Sequence, residues 1–200
     1  MKTILLCLFG CISAGLHAQS LRLQPSYDSL NTLRIKTNLT GMKILGGWSV
    51  LNVATGAVGY FATDNKEWKA FHGMNALWGA VNLGIAGMGY AGARREMQAH
   101  YDCDDMLHRY EANKRLFLLN AGLDVLYISS GVYLQEHAKT ITTDADVWRG
   151  FGKSVTMQGI FLLVFDGVMY SMHQHQDKKW YRALNGICVT GNGVGFRYAF

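Results

Sequence analysis

The chain has 200 residues, of which 50% are hydrophobic and 16% charged, with 23 glycines, one proline and a formal net charge of +5. That composition excludes a disordered tail, a collagen-like repeat and a disulfide scaffold. So much apolar content against so few charges requires either a very large core or lipid as the solvent.

The chain opens with Lys2, the apolar run Ile4 to Leu8, and small residues ending Ala14, Gly15, Leu16, His17 and Ala18. This is the order of a secretory signal peptide, with cleavage expected after Ala18. Lipid attachment at Cys11 competes with this reading, but Phe9 is bulky for that pattern. Cleavage removes Cys7 and Cys11, so the exported chain keeps Cys103 and Cys188 and no disulfide framework is implied. Residues 19–43 form an exported N-terminal segment in which Leu33 to Thr37 alternates in polarity, as a strand or a surface helix would.

Four runs nearly free of charge follow: Ile44 to Thr63, Ala70 to Ala93, Leu116 to Leu134 and Ser154 to Met172. Each is close to the roughly 20 residues a helix needs to cross a hydrocarbon layer. Glycine weakens helices in water, but glycine and other small residues permit close helix contact in lipid. Ala76, Ala80, Gly84 and Gly92 make one such stripe, and Thr55, Gly59 and Thr63 a shorter one. The expected fold is all-α, an antiparallel four-helix transmembrane bundle over residues 44–172, set against the alternative of an unusually apolar soluble bundle.

The connection 64–69 is tight, which makes the first two helices antiparallel neighbours. The connection 94–115 has neither Pro nor Gly, so helix two is expected to continue past Arg95 into water and turn back near Asn113. The tail 173–200 places Thr190, Gly191, Asn192 and Gly193 between alternating apolar positions, which predicts a small β hairpin. With the signal exported, thirteen Lys and Arg fall on the outer side of the bundle and five on the inner side. This inverts the usual enrichment of cytoplasmic loops in basic residues and leaves inner and outer membrane both open.

Polar residues within the apolar runs are the main functional lead. Asn52, Asn82, Asn120, Asp124 and Asp166 come from all four helices and fall at similar depths, so a single intramembrane polar layer is expected. Carboxyls at that depth are costly and should face the bundle interior. The layer suits interhelical hydrogen bonding, a proton or cation site, or the polar anchor of an apolar ligand. A second lead depends on helix two continuing: Glu96, His100, Asp104 and His108 would then share a face, with His173 and His175 on the same side of the membrane. Those residue types at that spacing can ligate a divalent metal, as in a metal-binding or redox module. An exposed amphipathic helix has the same composition.

No phosphate loop, dinucleotide fingerprint or nucleophile elbow occurs, and no motif names a cofactor or a reaction. The basic residues of 94–115 are matched by Glu96, Asp102, Asp104, Asp105 and Glu111, so the positive net charge does not point to nucleic acid. The chain reads as an exported membrane protein of the cell envelope with a structural, binding or accessory role rather than a catalytic one. Its expected partners are the lipid bilayer and either another envelope protein or further copies of itself.

Overall fold

A computed structural model describes the backbone of residues 2–184, 188–190 and 193–195, and side chains between residues 27 and 180. Four long helices dominate: α1 (Lys2–Ala62), α2 (Lys66–Glu96), α3 (Cys103–His137) and α4 (Ala145–Gln174). A short α5 (Asp177–Leu184) follows. Every helix exceeds its apolar run, because the flanking charged turns are good helix formers that need no burial.

The boundaries have local causes. Asn65 caps α2 by accepting from the Trp68 N–H at 3.1 Å, and Asp102 caps α3 by accepting from the Asp105 N–H at 2.9 Å. Asp144 precedes α4 with φ of 58°, the left-handed conformation that Asp tolerates better than most residues. Residues 19–43 belong to α1, so the alternation at Leu33 to Thr37 lies on a helix and the strand alternative falls.

Two other expectations are corrected. Helix two does not run on through His108: α2 ends at Glu96 and the chain turns before α3 begins at Cys103, where Asp102 provides a strong start signal. The turn back is not near Asn113, which lies inside α3, and the tail 173–200 opens as helix. It remains helical through α5, whose Trp180 is fully buried against Tyr27 and Tyr110. Beyond α5, Cys188–Thr190 and Gly193–Gly195 pair antiparallel as β1 and β2, with Val189 opposite Val194. Residues 196–200, which the expected hairpin included, lie outside the described residues. A three-residue ladder adds little, and the architecture rests on helices.

The bundle is built from two helical hairpins. The first half, α1 and α2, joins the second half, α3 and α4, chiefly where α2 meets α4, whereas α2 and α3 scarcely touch. Glycines make the tight seams. A methyl group at Gly152 would lie 2.6 Å from the Gly131 carbonyl oxygen, and one at Gly56 would lie 2.7 Å from the His72 carbonyl oxygen. Only hydrogen fits at such approaches, so the backbones pack directly, as they do in lipid. The expected stripes make these contacts only in part: Ala76 packs on Gly56 and Gly59 on His72, but Ala80, Gly84 and Gly92 are exposed, while Gly79 and Ala86 face the interior.

The outer surface is apolar. Leu119 is 66% exposed, Val164 61%, and Ile44, Val58 and Met88 also point outward. Patches of this kind are not left to water in a soluble monomer. Three helical stretches, Tyr27–Ala62, Cys103–His137 and Ala145–Trp180, are long and apolar enough to cross a membrane. The α2 helix falls short of that standard, diluted by its Gly, Asn and His residues. Ion pairs bracket this zone. Glu67 meets Arg149 and Lys153 at one end, and Glu96 meets Arg34 and Arg109 at the other. Glu67 and Glu96 are about 43 Å apart along α2 at ~1.5 Å per residue, close to the full thickness of a bilayer with its headgroups.

Candidate functional site

The buried polar residues fall into two groups. Towards the Glu67 end, five side chains from three helices form a closed network. Trp48 Nε1 donates to Gln158 Oε1 at 3.0 Å. Gln158 Nε2 donates to Asn52 Oδ1 at 2.7 Å and to Asn75 Oδ1 at 3.1 Å. Ser154 Oγ donates to the same Asn75 oxygen at 2.5 Å, and Asn52 Nδ2 returns to the Trp48 carbonyl at 2.8 Å. Gln158 is 1% exposed, and its amide is satisfied on both sides. The side chains pair with one another across three helices, so this layer fixes how α1, α2 and α4 meet.

The second group lines a cleft of about 420 Å³ where α2 and α3 splay apart. On α2 the lining runs Trp78, Asn82, Ile85, Gly89 and Glu96; on α3 it runs Asn113, Phe117, Asn120, Asp124 and Tyr127. Helical spacing of three, four and seven residues puts each set on one face. Asn38, Met42 and Leu45 of α1 and Leu162, Phe165 and Asp166 of α4 complete the wall. Trp78 and Tyr127 meet edge to face at 5.1 Å and join α2 to α3.

Polar groups in this cleft are not closed off. Asn82 Nδ2, Asn113 Nδ2 and Asp124 Oδ2 are buried with no hydrogen-bond partner. Asn82 and Asp124 are each 2% exposed. The Asp124 and Asp166 side chains meet, and Asn120 reaches Asp166. An unpaired polar group away from water costs about 1–3 kcal/mol, and three of the six such side-chain atoms among the described residues belong to residues that line this cleft.

At the Glu96 end, the charges are matched. Arg34, almost fully buried, donates to Glu96 at 2.6 Å, and Arg109 adds a second contact at 2.9 Å. His173 is buried beside the cleft, with Nε2 2.9 Å from Asn38 Oδ1 and its ring stacked on Phe117. Tyr110 donates to the His173 carbonyl at 2.7 Å and also to Asp177, which Lys114 holds at 2.9 Å. This cluster ties α1, α3, α4 and α5 together above the cleft.

The structure therefore brings together Asn82, Asn120, Asp124 and Asp166, and places Asn52 in the closed network instead. Sequence reasoning missed Asn75, Ser154 and Gln158, which act with Asn52, and Asn38 and Asn113, which join the cleft. Asn113 was legible: it lies seven residues before Asn120 on the same face of α3.

The expected metal cluster does not form. Among the described residues no group of three His, Cys, Asp or Glu side chains is placed to hold a metal ion. The break after Glu96 separates it from His100, Asp104 and His108, which are exposed on the turn and on α3. His108 and Asp104 make one loose contact at 3.9 Å, His173 is turned inward, and His175 is exposed.

The chain belongs to a family of unknown function, DUF6992, whose sequence profile matches residues 44–167. That stretch takes in the last third of α1, all of α2 and α3, and most of α4, and with them most of the cleft. No curated protein and no solved structure matches the chain.

Proposed function

We propose that this is an integral membrane protein of the cell envelope that binds a small molecule with an apolar body and a polar head in the cleft between α2 and α3. The observation that carries the reading is the set of unpartnered buried polar atoms, on Asn82, Asn113 and Asp124, in a cavity whose other walls are mainly apolar. A volume near 420 Å³ is in the range of small-molecule pockets, and a few polar groups among apolar walls are what orient such a ligand. The exposed apolar belt and the two rings of ion pairs support membrane residence. Export would be directed by residues 1–18.

Two experiments test this. After carbonate washing, the chain should stay with the membrane fraction, and the mature N-terminus should be Gln19. Native mass spectrometry of the purified protein in detergent should show an organic molecule bound in about a one-to-one ratio. The signal should disappear when Ile85→Trp fills the cleft. Recovery in the soluble extract, or the absence of any bound organic molecule from every preparation, would remove the reading.

A proton or inorganic ion site at Asp124 and Asp166 is a second reading, favoured by the meeting of the two carboxyls. It requires no organic ligand and survives loss of the apolar wall, so Ile85→Trp would leave ion binding intact.

A further inference from the structure

The charge inside the cleft is one-sided. Its lining contains Glu96, Asp124 and Asp166 and no Lys or Arg. Glu96 is neutralised by Arg34 and Arg109, whereas Asp124 and Asp166 interact with each other, and Asp166 with Asn120, and no Lys or Arg stands in the lining beside them. Asp124 Oδ2 is buried and has no donor. One positive charge placed between the two carboxyls would satisfy both, and a group able to donate several hydrogen bonds would serve best. Aromatic rings surround the position: Trp78 and Tyr127 at one end, Phe117 and Phe165 along the walls. Rings of this kind attract cations through their faces and accept flat apolar bodies. A bare metal ion is a poor match, because most of the lining offers no ligand atoms and no third acid or histidine joins the pair.

We propose that the ligand is an organic cation: a protonated amine on an apolar, preferably aromatic, body. The ammonium sits between Asp124 and Asp166, and the body lies between Trp78 and Phe117. Asn82, which lines the same cleft and whose buried Nδ2 has no partner, donates to an acceptor oxygen on ligands that carry one. The inference rests on the binding reading and adds the sign of the ligand's charge.

The test uses three matched probes on the full chain in zwitterionic lipid nanodiscs, with empty nanodiscs as the blank: 2-(1-naphthyl)ethylamine, the corresponding alcohol, and 1-naphthylacetate. Calorimetric titration should show saturable binding of the amine, with the alcohol weaker by about tenfold or more and the acetate weaker still. In Asp124→Asn/Asp166→Asn the amine should fall to the affinity of the alcohol, and the alcohol should be unchanged. The wild-type series decides the question even where that variant does not fold. Binding of the alcohol or the acetate as tightly as the amine would overturn the cation inference while leaving a ligand site. Failure of all three probes, together with no co-purifying molecule, would remove both. Displacement of the amine by sodium chloride but not by choline chloride at equal ionic strength would assign the pair to an inorganic cation and also overturn the proposal.

Discussion

The two polar regions of the bundle have similar composition and opposite bookkeeping. Around Gln158, amides and a hydroxyl from α1, α2 and α4 pair with one another. Around Asp124, amides and carboxyls from α2, α3 and α4 leave atoms without partners beside a cavity. The backbone follows the same division. Gly131 and Gly152 bring α3 and α4 into direct contact, while Gly84, Gly87 and Gly92 on α2 meet nothing within 4 Å. Buried polarity alone does not separate structural cement from a binding site. What separates them is whether the protein supplies both halves of each hydrogen bond.

The largest effect should come from breaking the closed region. Gln158→Leu leaves the Trp48 N–H without its acceptor and removes two further bonds, so we expect a loss of about 2–4 kcal/mol in unfolding free energy, read by titration with a denaturing detergent. A loss below that of an exposed apolar substitution such as Val164→Ala would show that the network is not what holds the helices. Next, Gly152→Val drives a side chain into the Gly131 carbonyl and should cost about 1–3 kcal/mol. Gly84→Val, on the open face of α2, should leave the melting temperature nearly unchanged. Equal effects at the two glycines would erase the difference between the tight and the open seam.

The smallest effect concerns the ion pairs that frame the apolar zone. The Lys153 hydrogen bond, assisted by Arg149 and opposed by partial burial, holds the Glu67 carboxyl below the usual carboxylate range. A group whose pKa is lower in the folded state stabilises the fold above its unfolded pKa, near 4.3, and loses that contribution as pH falls through the folded value. Stability should therefore decline on acidification below about pH 4.5, and Glu67→Gln should flatten the decline. At neutral pH the variant should cost no more than about 1 kcal/mol, since Lys153 and Arg149 remain partly in water.

Much of this architecture was legible in the residues. Runs of uncharged residues placed the four helices, and Asn65 and Asp102 carry start signals that the structure uses. The connection 94–115 was misjudged because its lack of Pro and Gly outweighed Asp102, a capping residue followed by two further acids in the first turn. That one error produced the metal cluster. The polar layer was half legible. Depth along each helix groups Asn82, Asn120, Asp124 and Asp166, which line one cleft, but depth says nothing of the direction a side chain faces. Asn52 turns towards Gln158, a residue whose amide looks unremarkable in a run of apolar neighbours. The cleft itself has no local signature, because it arises from two helices that fail to pack.

The central claim is that the protein holds its fold with the Gln158 network and leaves the Asp124 cleft for a ligand. The most direct test is the unfolding free energy of Asp124→Leu in ligand-free detergent, measured beside Gln158→Leu. We expect Asp124→Leu to lie within about 1 kcal/mol of wild type or above it, because it removes an unsatisfied group and fills open space. A fall as large as that of Gln158→Leu would show that Asp124 is structural and would contradict the account.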